Sequence, residues 1–314
     1  MTRVGVVLPR DTFEELRKKM IQSARQGITE AYSSEEYALI QAINAYLDIS
    51  KTYNLMYERL TEWYGIYFPE VQVGNPRTLA SLAILAAGRT VPDHAKLAEL
   101  IGDEPKAAQV HDKIQNSIGR KMNDDESNAV MKFAQLSRSM DESLTSLEQY
   151  LKIASNRLLP NTTFLTDEKI AAELLSKAGS MERLATMPAS TVQLLGAEKA
   201  LFKHIKFGSK PPKYGVIFKM PEVNTAQKDQ RGRIARVYAT KICIALKADY
   251  YTKKPIGPQL KKSLDEAIQK IKSSPPRERK PAPAQGRQGP RRFQRGNRGG
   301  GGRPQGGRRP SRPF

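Results

Sequence analysis

Sulfur and imidazole are scarce in this 314-residue chain: one cysteine, Cys243, and three histidines, His94, His111 and His204, set far apart. A single thiol excludes a disulfide framework and any zinc site built on several thiolates, and scattered histidines argue against a multi-histidine metal centre. Uninterrupted apolar runs are short as well. None approaches the roughly 18 residues of a membrane helix, and the opening MTRVGVVLPRDTFEELRKK brings in charge too soon for a signal peptide or an anchor. Catalytic signatures are missing too. There is no GxxxxGK[ST] and no HExxH, the dense glycines lie only near the carboxyl end, and Cys243 has no histidine close in sequence, so it reads as a small core residue. The expectation is a soluble intracellular protein that binds rather than catalyses, with no cofactor, no metal and no membrane contact.

What the chain has in excess is positive charge, and it is unevenly placed. Residues 1–160 carry 19 basic and 21 acidic side chains, residues 161–273 carry 21 and 10, and residues 274–314 carry 12 and 1, within a total of +20. The whole excess therefore lies beyond residue 160, which points to a polyanionic partner, most simply nucleic acid.

Hydrophobic periodicity predicts an all-α protein. Residues 14–68 read as helix with a break near Gly27, and from Leu39 an apolar or aromatic residue recurs every seven: Leu39, Tyr46, Tyr53, Leu60 and Tyr67. Ile43, Tyr57 and Tyr64 fill the intermediate positions, and Ser50 is the exception. A second long helix is expected from Asp124 to Leu158, capped by Asn123, with the seam Val130, Phe133, Met140, Leu144, Leu147, Leu151, Ala154 and Leu158 interrupted by Ser137. Matching seams joined by about fifty residues predict an antiparallel coiled-coil hairpin whose tip holds short helices at Thr78–Ala87 and Pro105–Ser117. Such a seam can pair within its chain, with a second copy or with a different helix. A boundary is expected at Pro160-Asn161, giving a coiled-coil domain at 1–160 and a helical domain at 161–273. In the latter Thr166 caps a first helix, and further helices follow near Ser180–Ala185, Ser190–His204, Asp229–Tyr250 and Gln259–Ile271, with YGVIF (214–218) either extended or a buried helix start. The last 41 residues, with 9 Gly, 8 Pro and 11 Arg, cannot bury a core and read as a disordered, basic, Arg/Gly-rich tail.

The segment 196–254 holds 14 basic side chains against 4 acidic ones. Lys199, Lys203 and Lys206 advance by four and then three residues, which makes a basic ridge on one helix. Lys210 and Lys213 flank Pro211-Pro212, a stiff loop able to hold two ammonium groups against a sugar–phosphate chain. On the helix over 229–250, Arg233, Arg236, Thr240 and Lys247 fall in one arc, with Ile234, Val237, Tyr238, Ile242, Ile244 and Ala245 expected on the buried side. A single-sign stripe opposite an apolar face suits a reader of phosphate backbones. His204 reads equally as a base-stacking or a plain surface residue.

Two blocks here, MPASTVQLLGAEKALFKHIKFGSKPPKYGVIF (187–218) and QRGRIARVYATKICIALKADYY (230–251), resemble the Nop domain. Upstream, SSEEYALIQAINAYLDISKTYNLMYERLTEWYGIYFPE (33–70) is similar to the start of that family's coiled-coil domain. The resemblance covers about residues 14–272. It implies an RNA-binding scaffold of a box C/D-type guide ribonucleoprotein that directs 2′-O-methylation, archaeal in kind and hence cytoplasmic, or nucleolar in a eukaryote. It implies recognition of a kink-turn RNA together with a ribosomal-type kink-turn-binding protein. By position, Gly196, Ala197 and Glu198 would meet that protein, Lys199 would lie at the protein and RNA, and Gln230, Arg231, Arg233 and Arg236 would lie near phosphates. It further implies a homodimer through the coiled coil. Family members that recruit fibrillarin carry an additional amino-terminal domain. About a dozen residues precede the first family-like helix here, so recruitment is expected only if another polypeptide supplies that domain. NTAQKD (224–229) also departs from the usual tryptophan-containing sequence before QRG. The alternative is a coiled-coil assembly factor of another ribonucleoprotein that does not recruit fibrillarin.

Overall fold

A computed structural model describes residues 10–86 and 92–274, and every regular element among them is helical. Helix α1 (Arg10–Tyr32) runs unbroken through Gly27. The expected break comes instead at Ser33-Ser34, where the Ser34 side chain accepts from Glu36 N and caps α2 (Glu35–Gly65). Three short helices follow: α3 (Pro76–Ala86), α4 (His94–Ile101) and α5 (Glu104–Gln115). The Asn123 side chain accepts from Glu126 N while Glu126 accepts from Asn123 N, a reciprocal cap that starts α6 (Asp124–Leu158).

Two hydrophobic cores show how these helices run. Leu39 and Ile43 near the start of α2 share one core with Leu151 and Ala154 near the end of α6. Leu60 and Tyr64 at the end of α2 share the other with Val130 and Ala134 at the start of α6. The pair is therefore antiparallel, and its seam closes within one chain. Ser137, the polar residue in the seam, is buried. At the tip, Glu70 of the WYGIYFPE block accepts from Ser117 Oγ (2.7 Å) and Ile118 N (2.9 Å), and a Cβ on Gly119 would lie 2.0 Å from Tyr67 O. These contacts lock the return strand of chain onto the end of α2.

The second half continues through α7 (Pro160–Leu165), α8 (Glu168–Ala178), α9 (Met181–Thr186), α10 (Ala189–Leu194) and α11 (Glu198–Phe207). The cap of α8 is Asp167, accepting from Ile170 N, not Thr166, whose hydroxyl donates to Thr162 O. YGVIF forms a 3-10 turn, Val216–Lys219, followed by α12 (Pro221–Asn224), α13 (Arg231–Lys247) and α14 (Gly257–Lys272). Residue 160 is a helix junction inside one continuous core, which takes in both hairpin ends and α7 to α10 and α12 to α14. Beyond Ser274 the expected tail lies outside the described residues.

A buried polar knot fastens that junction. After α13 the helix widens into a π turn, Ala248–Thr252, and Lys253 N donates to Ala248 O. This presents Asp249, 5% exposed, to the start of α7. Its carboxylate accepts from Asn161 N and Nδ2 and from Thr162 N and Oγ1, at 2.7 to 3.0 Å. Asn161 Oδ1 in turn accepts from Ile256 N and Gly257 N. Nearer the surface, Glu148 of α6 accepts from Lys169 of α8 (2.5 Å) and Tyr46 of α2 (2.8 Å). Those donors hold its carboxyl below the ordinary value of 4.5.

Two measurements check this account. Asp249→Asn turns an amide donor toward groups that already donate, so urea unfolding should show a loss of about 2–4 kcal/mol; a loss under about 0.5 kcal/mol would show the knot to be ornamental. Because its folded pKa is depressed, Glu148 stabilises in full above its ordinary 4.5 and loses that contribution as pH falls through the lowered value. Glu148→Gln should thus cost under about 1 kcal/mol near neutrality, the pair being solvent-exposed, and the difference from wild type should shrink in acid. A difference independent of pH would exclude the carboxylate as its source.

Candidate nucleic-acid interface

The basic segment is built on a loop of chain that leaves the core and returns to it. The exit is Gly196, at φ +89, where an added Cβ would come within 2.6 Å of Val216 Cγ2. The return is Gly215, where a Cβ would lie 1.9 Å from Leu195 O. Only glycine tolerates either approach. The ends are joined by Val216 N to Leu195 O (2.7 Å), Gly215 N to Gln193 O (2.9 Å) and Gln193 Nε2 to Lys213 O (2.6 Å).

Between these ends stands α11, which buries none of its residues. Gly196 N donates to Glu198 Oε1 (2.7 Å), which fixes the GAEK corner, and Gly208 at φ +65 closes the far end. Lys199, Lys203 and Lys206 are exposed along one arc, as the spacing predicts, and Lys210 and Lys213 are exposed in the returning loop. The sequence pattern does not reveal the neighbouring arc. Phe202 and Ile205 are 62% and 74% exposed, Phe207 is also open, and Lys206 Nζ sits 5.8 and 5.3 Å from the Phe202 and Phe207 ring centres. The sequence shows these residues as apolar; that they stay exposed among the described residues is visible only in the fold. His204 is half-buried, its Nδ1 in contact with Ser209 O.

The α13 residues separate into two groups. Arg236 and Lys247 are exposed with Thr240 between them. Ile244, expected on the buried side, is 41% exposed, since it lies one turn beyond Thr240 in the same arc. Near the helix start the basic residues are tied inward. Arg231 Nε donates to Ala226 O (2.9 Å), and its guanidinium lies over Phe218, whose ring stacks on Tyr214 at 4.7 Å. Arg233 Nη1 donates to Ser274 Oγ (2.7 Å). Gln230 is buried, its amide toward Lys272 O, because the chain crosses the end of α14 there. Of the predicted cationic residues, the exposed ones are thus Lys199, Lys203, Lys206, Lys210, Lys213, Arg236 and Lys247. Val216 and Phe218, two residues apart, connect the Gly196 corner to Arg231.

Among the described residues no group of three or more His, Cys, Asp or Glu could hold a metal, and no helix is long and apolar enough to cross a membrane.

The family described as Nop, snoRNA binding domain, fibrillarin, matches residues 45–270. A NOP5 family protein of Methanocaldococcus jannaschii is 34% identical over 85% of this chain and 66% of its own length. Nucleolar protein 56 is 34% identical in Dictyostelium discoideum and 32% in Saccharomyces cerevisiae, over 82% of this chain in each case. The chain spans 51% and 55% of those two proteins. A solved chain from a fibrillarin/Nop5p complex matches with a TM-score of 0.47 at 22% identity, over 84% of this chain and 81% of that one.

The closure at Gly215 generates a prediction. Gly215→Ala drives a methyl into Leu195 O, so thermal unfolding should show a loss of about 2 kcal/mol, with α11 amides exchanging faster than in the wild type while those of α13 change little. Unchanged stability and exchange would show that the returning loop does not hold α11.

Proposed function

The chain belongs to the Nop family, and from that premise we propose that it is a non-catalytic RNA-binding scaffold of a box C/D-type guide ribonucleoprotein serving RNA 2′-O-methylation. It recognises a kink-turn RNA already held by a ribosomal-type kink-turn-binding protein. The observation that carries this reading is α11: a helix with a lysine ridge beside an open apolar arc, anchored at both ends yet buried nowhere. A surface meant for phosphates alone needs no exposed Phe202 and Ile205. One meant for protein alone needs no single-sign ridge. Both together suit a composite of phosphate backbone and protein. Gly196, Ala197 and Glu198 supply the corner for the protein side; Lys203, Lys206, Lys210, Lys213, Arg236 and Lys247 supply the phosphate side.

Binding to a box C/D-type kink-turn RNA, with and without the kink-turn-binding protein, tests the reading. Affinity should rise at least tenfold in the ternary case. Lys203→Glu with Lys206→Glu should weaken binding and flatten the dependence of log K on log salt by about one unit for each phosphate no longer neutralised. Arg231→Glu should act differently, lowering stability because it breaks the hydrogen bond to Ala226 O and uncovers the Phe218 ring. Equal affinity with and without the protein, or an unchanged salt slope, contradicts the proposal.

A further inference from the structure

From Lys247 the chain reads KADYYTKK, and every residue of that segment except Ala248 and Asp249 is exposed. Its one acid, Asp249, is spent on the four donors of the buried knot. What remains at the surface is three lysines and two tyrosines. None of the lysines pairs with a carboxylate among the described residues. Tyr250 and Tyr251 are 36% and 61% exposed and meet edge to face, their ring centres 4.8 Å apart and their planes at 80°. Such a pair covers at most one of its four ring faces.

Two departures from regular helix present these side chains. The π turn over Ala248–Thr252 is a geometry that interrupts helices mostly at functional positions. Lys253 then takes φ +51 and is the single non-glycine residue with a positive φ among the described residues, a conformation that a side chain with a Cβ disfavours. The strain is held in place by Lys253 N on Ala248 O (2.6 Å) and by Lys254 O, which accepts from Asn161 Nδ2 (2.8 Å). A turn needed only to end α13 would be better served by glycine at that position.

Beside the turn opens a cavity of about 640 Å³ whose walls include Tyr37, Tyr250, Arg157 and Lys253, a size that admits one nucleotide. Arg157 pairs with Glu35 at 2.8 Å, and more than half of its side chain stays exposed. Of the carboxylates in the wall, Asp249 is saturated and Glu36 accepts from Met181 N (2.7 Å). Glu182 is exposed and can accept from the exocyclic amine of a base. Rings for bases, cations for phosphates and an acceptor for a base edge are the parts of a site for unpaired RNA. A duplex has no use for the rings, because its bases already stack on one another.

We propose that this turn is a platform for single-stranded RNA. Unpaired bases stack on Tyr250 and Tyr251, one of them reaching the cavity at Tyr37, while Lys253, Lys254 and Arg157 neutralise phosphates. Lys247 joins the platform to the cationic face of α13 that begins at Arg236, so one strand can follow both. The platform uses no residue of α11 and stands whether or not α11 meets a kink-turn.

Ultraviolet cross-linking of the full chain to a single-stranded RNA of about twelve nucleotides tests it. Cross-links should map to Tyr250 or Tyr251. Lys253→Glu with Lys254→Glu should cut their yield about tenfold, and a duplex of the same length should compete about tenfold less well than the single strand. Tyr250→Ala with Tyr251→Ala should weaken binding of the single strand about tenfold without altering the salt slope or the urea midpoint, both rings being exposed. Tyr250→Phe with Tyr251→Phe should retain the affinity, since stacking uses the ring and not the hydroxyl. Lys203→Glu with Lys206→Glu, which disables α11, should leave the cross-link in place. Absence of cross-links from residues 247–254 overturns the platform. Equal competition by the duplex, or full affinity in the alanine pair, overturns stacking and leaves a general positive surface. Shielding of residues 250–254 from chemical labelling by a protein but not by RNA assigns the surface to protein and also overturns it.

Discussion

The backbone closure between residues 193–195 and 213–216 is the constraint on which the candidate interface rests. Ten residues are too few to hold a helix in water without support, and α11 draws no support from burial. Its order comes from its ends: two glycines at positions where any Cβ would strike Val216 or Leu195, and three hydrogen bonds across the neck of the excursion. The arrangement leaves three large apolar side chains in water beside three lysines. An intramolecular role would have buried those rings. Their exposure is what the proposed contact with another molecule would use.

That surface is carried on a rigid base. The hairpin ends, α7 to α10 and α12 to α14 share one core, and the Asp249 carboxylate satisfies four donors at the point where the hairpin enters it. A buried carboxylate this fully bonded resists rearrangement, because any motion of α7 against α13 strands several donors at once. The other core, at the hairpin tip, is built on the far ends of α2 and α6. Binding at α11 is therefore expected to leave the core geometry alone and to order only the excursion itself.

Much of this was legible in the sequence, and the parts that were not have physical reasons. The long helices follow from heptads and caps, both local signals, so α6 was readable to the residue and α2 everywhere but at its start, where the break expected near Gly27 falls at Ser33-Ser34. Helix α4 escaped because HAKLAELI is too short to establish a period, and only Asp93 at its cap betrays it. Asp167 took the cap assigned to Thr166 because both can accept from a helix start, and the Thr166 hydroxyl was committed to Thr162 O. Lysines on α11 were recognisable by spacing, but no pattern says which apolar residues lack a partner. Gln230 and Arg231 read as phosphate ligands by resemblance, and tertiary contacts turn both inward. Asp249 gave no warning at all, its four donors lying 87 or 88 residues away.

Amide hydrogen exchange over α11, in the free chain and in complex with kink-turn RNA and its binding protein, addresses the central point most directly. Amides of Lys203–Phe207 should exchange quickly in the free chain, while those of α13 are slow, and should become protected in the complex with little change in α13. Protection of α11 that is already high in the free chain, or that does not rise on binding, would contradict the view that its partner lies outside the molecule.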